Sequence, residues 1–188
     1  MSIPLEYEIG LDITPSNAIE KGWGSILHFT ATGADCCGYG SRIPGVWFWP
    51  GTRRILLSDG HTSNGNSHTG QWKCDDNVLT LQPNINYRLR MVFKAKTVSL
   101  YVNGQMACAT EPRADRKVFK NVAVYAADPF YAPAKATVQN LYFKPLPSSP
   151  PGLTRLLIFL YVTFDKACVY ICTTLLPHSM PSRCSVLH

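Results

Sequence analysis

The stretch from Tyr87 to Thr110 limits this chain's fold more than any other. Tyr87, Leu89, Met91 and Phe93 alternate with Arg88, Arg90, Val92 and Lys94, and after a short turn Val98, Leu100 and Val102 alternate with Ser99 and Tyr101. A period of two places every second side chain on one face of a strand, which a helix cannot do. Asn103-Gly104 follows, and both residues accept the positive φ of a tight hairpin. Met106 to Thr110 then reads as the returning strand.

The rest of the chain up to Leu146 repeats this grammar. Tyr7, Ile9, Leu11 and Ile13 alternate with Glu8, Gly10 and Asp12, and Pro15 closes the segment. Further strands are expected at Trp23–Thr30, Gly45–Trp49, Arg53–Ser58, Val122–Tyr125 and Thr137–Lys144. Pro50-Gly51 and Asp128-Pro129 read as turns, and Asp59–Gly70 as a small, polar loop. No segment before Leu146 has the pattern of an amphipathic helix. Roughly eight short strands between turn clusters predict an all-β fold, a two-sheet antiparallel jelly-roll sandwich over residues 1–146. A Pro/Ser-rich linker at 147–152 separates it from a hydrophobic tail at 153–188, outside the domain.

A hydrophobic content of 46% with 16% charged residues is that of a globular chain and excludes a disordered one. The net charge of +6 comes from scattered residues. Its densest group, Arg113, Arg116, Lys117 and Lys120, reads as a solvated loop, and no nucleic-acid motif accompanies it, so no nucleic-acid partner is expected.

Four of the 7 cysteines (Cys36, Cys37, Cys74 and Cys108) fall in the domain, and Cys168, Cys172 and Cys184 in the tail. An even count in a β-rich domain favours disulfides and an extracellular or cell-surface location, although Met1–Gly10 has neither the basic nor the apolar region of a signal peptide. The expected bridge joins Cys74 to Cys36 or Cys37, with the remaining loop cysteine paired to Cys108 or free. Zinc held by Cys36, Cys37, Cys74, His61 and His68 is disfavoured, because adjacent cysteines rarely ligate one ion together. In the tail, two apolar runs (156–164 and 167–176) flank Asp165-Lys166. Together they approach the ~20 residues of a membrane span. Two charges near the centre would each cost roughly 2.5–3.5 kcal/mol. Three readings stay open: a membrane anchor, an element docked on the domain, or translated non-coding sequence.

Several phrases together resemble the concanavalin A-like lectin/glucanase superfamily in its laminin-G-like branch. They are Trp23-Gly-Ser-Ile-Leu-His-Phe-Thr30, Arg42-Ile-Pro-Gly-Val-Trp-Phe48, Tyr87-Arg-Leu-Arg-Met-Val-Phe93 with Val98-Ser-Leu-Tyr-Val-Asn-Gly104, and Tyr125–Tyr131 with Ala136–Phe143. The resemblance implies two antiparallel sheets, one of them concave, with ligands taken at the concave face or the loop rim. Members are mostly carbohydrate-binding or adhesion modules, and some are glycoside hydrolases. It also implies a rim calcium site, for which Asp59, Asn64, Asn66 and Asp128 are the oxygen donors available, although such residues equally make turns.

Sugars are bound by aromatic faces and fixed polar groups, which points to Trp47, Trp49, Arg53, Arg54, Asn64, Asn66, His68 and Trp72. One of the faces Val46/Phe48 and Trp47/Trp49 must be core. The Glu-x-Asp-x-x-Glu pattern of the hydrolase branch is absent, Glu6, Glu8 and Asp12 read as a solvated outward face, and no Gly-x-Ser-x-Gly elbow occurs. The expectation is a non-catalytic module that binds a glycan or glycoprotein. A protein-adhesion or structural module is the alternative, and a degenerate glucanase-like hydrolase the third reading.

Overall fold

The computed structural model describes residues 1–35, 38–62, 65–68, 73–94, 97–109, 117–147, 169–173 and 183–187. The alternation read at the N-terminus forms β1 (Tyr7–Pro15), in which Tyr7, Ile9, Leu11 and Ile13 are at most 1% exposed. It lies between β11 (Ala136–Pro145) and β7 (Tyr87–Phe93), antiparallel to both. With β8 (Val98–Val102), β9 (Gln105–Ala109) and β6 (Lys73–Cys74) it builds a six-stranded sheet in the order β11-β1-β7-β8-β9-β6. The expected hairpin joins β8 to β9: Asn103 and Gly104 have φ of 50° and 84°, and the Asn103 side chain accepts the Arg88 N–H at 2.8 Å.

The second sheet holds β10 (Ala123–Tyr125), β2 (Gly24–Thr30), β3 (Gly45–Phe48), β4 (Ile55–Thr62) and β5 (Gly65–His68), in that order. A single helical turn, α1 (Asp76–Leu79), is capped by Asp75. β12 (Val169–Thr173) and β13 (Arg183–Leu187) pair with each other. The two larger sheets pack as the antiparallel sandwich expected. Their inner faces share one core, to which the first contributes Ile9, Leu11, Leu89, Met91 and Leu100, and the second Ile26, Phe29, Val46, Phe48, Ile55 and Leu57. Each such side chain contributes roughly 1.5–3 kcal/mol by leaving water.

Three details differ from the sequence reading. Residues 59–62 and 65–68 are not loop: β4 continues to Thr62 and pairs with β5, with Ser58 opposite His68. Ladder bonds are made by the backbone, so small polar residues can carry them.

Glu8 and Asp12 do point away from the core, but each is only 8% exposed rather than solvated. Tyr142 lies across Gly10, where a β-carbon would run into its ring, and donates its hydroxyl to Glu8 at 2.7 Å. Arg90 pairs with Glu8 at 2.9 Å, and Arg88 and Asn140 bond Asp12 at 3.2 and 2.7 Å. A strand flanked on both sides is roofed by its neighbours' long side chains. Burial would raise the Glu8 carboxyl, but the bonds from Arg90 and Tyr142 hold it below its ordinary value. Burial and the bond to Glu8 push the Tyr142 hydroxyl up to about 12.

The third difference is the disulfide, which joins Cys74 to Cys108 rather than to Cys36 or Cys37, the latter two lying outside the described residues. Cys74 and Cys108 are cross-strand partners on β6 and β9, with Cα atoms 4.3 Å apart. The bridge closes a loop with a sequence separation of 34. By loop-closure entropy, reduction or Cys108→Ala is expected to lower the unfolding free energy by about 4 kcal/mol, read from urea denaturation with and without reductant.

Candidate functional site

With Val46 and Phe48 in the core, Trp47 must lie on the outer face of the five-stranded sheet. Ser25 and His28 of β2 share that face, because Ile26, Leu27 and Phe29 point inward around a bulge. This outer face is nevertheless closed to water: Trp47 is 1% exposed, Ser25 2% and His28 0%. The Trp47 ring folds back over Gly45, where a β-carbon would collide with it. The segment after β10, residues 126–131, covers the rest.

Asp128 organises this cover. Its Oδ2 accepts from Ser25 Oγ at 2.8 Å and Trp47 Nε1 at 3.0 Å, and its Oδ1 from the backbone N–H groups of Phe130 and Tyr131, both at 3.0 Å. Its own N–H donates back to Ser25 Oγ at 3.0 Å. His28 Nε2 stands 2.6 Å from the Ser41 carbonyl, so that nitrogen carries a proton and donates it. Nδ1 faces Asp128 Oδ2 at 3.5 Å. Burial pushes the Asp128 carboxyl up, but His28, Ser25 and the two backbone N–H groups outweigh it and hold the carboxyl at about 2.

Above this floor opens a cavity of about 80 Å³ lined by Trp23, Arg42, Trp47, Leu56 and Tyr131. Arg42 lies over the Trp47 ring at 4.6 Å and donates from Nε to the Asp35 carbonyl at 2.9 Å and from a terminal nitrogen to its carboxylate at 3.1 Å. Tyr131 donates its hydroxyl to the other Asp35 oxygen at 2.7 Å. Burial and this bond raise the Tyr131 hydroxyl above its ordinary value. Beside the cavity Trp49, 37% exposed, meets Trp23 edge-on with ring centres 4.9 Å apart. Trp49 is presented by the Pro50-Gly51 turn, in which Thr52 N–H returns to the Trp49 carbonyl at 3.0 Å and Gly51 takes φ of 68°.

Of the residues singled out in the sequence, Trp47 and Trp49 belong to this region, the first as floor and the second as an exposed face. Arg53 is bonded instead to the carbonyls of Ser16 and Asn17, at 2.9 and 2.6 Å. Arg54 pairs with Asp76 at 2.6 Å, with its guanidinium 5.8 Å from the Trp49 ring centre. Asn66 and His68 fall on β5, described by its backbone alone, and Asn64 and Trp72 lie outside the described residues. Asp59 is buried on β4, and Asp128 is surrounded by donors, the reverse of a calcium shell. Among the described residues no three His, Cys, Asp or Glu side chains gather as a metal site.

Sequence reasoning missed Trp23, Asp35, Arg42 and Tyr131 as site residues. Only one signal was available: Asp128-Pro-Phe-Tyr131 has the form of a turn whose Asp side chain accepts the N–H groups two and three residues on.

No protein-family model matches the chain, and no curated protein matches it in sequence. Solved structures do match in shape. The Trypanosoma rangeli sialidase aligns with a TM-score of 0.52 at 16% identity over 75% of this chain, which spans 21% of the sialidase. Domain 4 of AbnA, an extracellular GH43 arabinanase from Geobacillus stearothermophilus solved with arabinotriose, aligns with a TM-score of 0.51 at 12% identity over 76% of this chain and 61% of that one. At these identities the likeness is one of fold.

The Asp128 carboxyl, lower in the folded state than its ordinary 3.8, stabilises the protein above about pH 4 and loses that contribution as pH falls through about 2. Asp128→Ala leaves four donors without an acceptor and is expected to cost about 3 kcal/mol at pH 7. The difference from wild type should shrink between pH 4 and 2, measured by denaturant titration at each pH.

Proposed function

We propose that this domain is a non-catalytic carbohydrate-binding module whose ligand docks over the mouth of the cavity between Trp23, Arg42 and Tyr131. The observation that carries this reading is the arrangement itself: tryptophan and tyrosine rings around a preset Arg42–Asp35 pair. Sugar rings offer C–H faces to aromatics and hydroxyls to fixed donors and acceptors. The partly exposed Trp49 and Trp23 extend the aromatic surface beyond the cavity. The arabinanase domain of the same fold, solved with arabinotriose, supports the reading.

The chemistry of the cavity supports binding without hydrolysis. A glycosidase acid needs a carboxyl with a raised pKa. Asp128 is held at about 2, and Asp35 is tied to Arg42 and Tyr131. The Cys74–Cys108 bridge suits an oxidising compartment, and with the fold it supports an extracellular or cell-surface module of laminin-G-like type.

Isothermal titration of the oxidised full chain with oligosaccharides chosen from a glycan array tests this. Trp49→Ala and Trp23→Ala are each expected to weaken binding about tenfold while leaving the far-UV circular dichroism unchanged. Folded protein that binds no glycan would instead favour a protein-adhesion or structural module.

A further inference from the structure

We infer that the cavity selects neutral saccharides and discriminates against carboxylated or sulfated ones, a specificity that rests on the proposed carbohydrate site. Of the described lining residues only Arg42 is charged, and Asp35 already occupies its Nε and one terminal nitrogen. The guanidinium face is turned to Trp47 at 4.6 Å. Arg54, with its guanidinium 5.8 Å from the Trp49 ring centre, is paired with Asp76 at 2.6 Å. A guanidinium binds an anion most strongly through two parallel N–H groups, and here a protein carbonyl and carboxylate hold the Nε edge.

The floor adds to the bias. Asp128 is ionised beneath Trp47, with its charge buried at 4% exposure. Arg42 stands between two carboxylates, Asp35 beside it and Asp128 beneath the Trp47 floor. Both carboxylates lie in a partly desolvated recess, where screening is weaker than at an open surface. An incoming carboxylate or sulfate would meet repulsion from Asp35, which already compensates the Arg42 charge. A hydroxyl meets no such repulsion, because it can donate to Asp35 while accepting from an Arg42 N–H. Tyr131 helps to hold Asp35 in place, since its hydroxyl donates at 2.7 Å.

The test is a glycan array read at pH 7.5 with the oxidised full chain. It carries neutral gluco-, galacto- and arabino-oligosaccharides beside their sulfated and carboxylated counterparts. The expected result is saturable binding to neutral members, weakened about tenfold or more by each added anionic group. Asp35→Asn keeps the side-chain shape at a partly exposed position and frees Arg42, so the anionic-to-neutral binding ratio should rise about tenfold. Arg42→Gln should move the ratio the other way, so the inference stays testable if one variant fails to fold. Preference of the wild type for anionic glycans, or a ratio that neither variant moves, overturns the inference while leaving the carbohydrate site intact. Absence of binding to any glycan by the folded protein removes the carbohydrate reading itself, and this specificity with it.

Discussion

A carboxylate at 4% exposure has to be surrounded by donors or give up its charge, and Asp128 meets that demand by drawing three parts of the chain together. Ser25 comes from β2, Trp47 from β3, and two N–H groups from the segment that Asp128 itself begins. That segment is thereby laid across the outer face of the five-stranded sheet and carries Tyr131 to the edge of Trp47, with ring centres 6.3 Å apart. Tyr131 meets Asp35, and Asp35 aligns Arg42. The cavity wall is therefore a sequence of dependencies with one buried anion at its start.

Both sheets bury polar groups on their outer faces, and they cover them in different ways. On the six-stranded sheet β1 is flanked by two full-length strands, and Tyr142, Arg88 and Arg90 close over Glu8, Gly10 and Asp12. On the five-stranded sheet the cover is an irregular segment, while the space above Gly45 is filled by the Trp47 ring. A strand neighbour delivers a side chain at every second residue along its length. A loop delivers them only where its turns permit, and the gap between Trp23 and Tyr131 is what it leaves.

The same contrast explains what could be read in advance. The alternating strands, the Asn103-Gly104 hairpin and the Pro50-Gly51 turn rest on residues near one another in sequence, and they formed as their periods and turn residues required, whereas the polar residues of β5 carry no such period. The alternation of β1 placed Glu8 and Asp12 on the face away from the core. It could not show that β7 and β11 would roof them. The pairing of Cys74 with Cys108 follows from the register of two strands, and no spacing of cysteines encodes that register.

By itself the sequence determined the all-β class, the extent of the domain's alternating segments, and the fact that one face of residues 45–49 had to be core. Period-two patterning is a local record of which side of each strand faces apolar neighbours. Tertiary structure alone decided that Val46 and Phe48 take that side and that Trp47 becomes the floor of a cavity. It also brought Asp35 to Tyr131 across 96 positions and Asp128 to Ser25 across 103. Such contacts come from strand order and the path of a covering loop, and their energies depend on burial that exists only once both sheets have assembled.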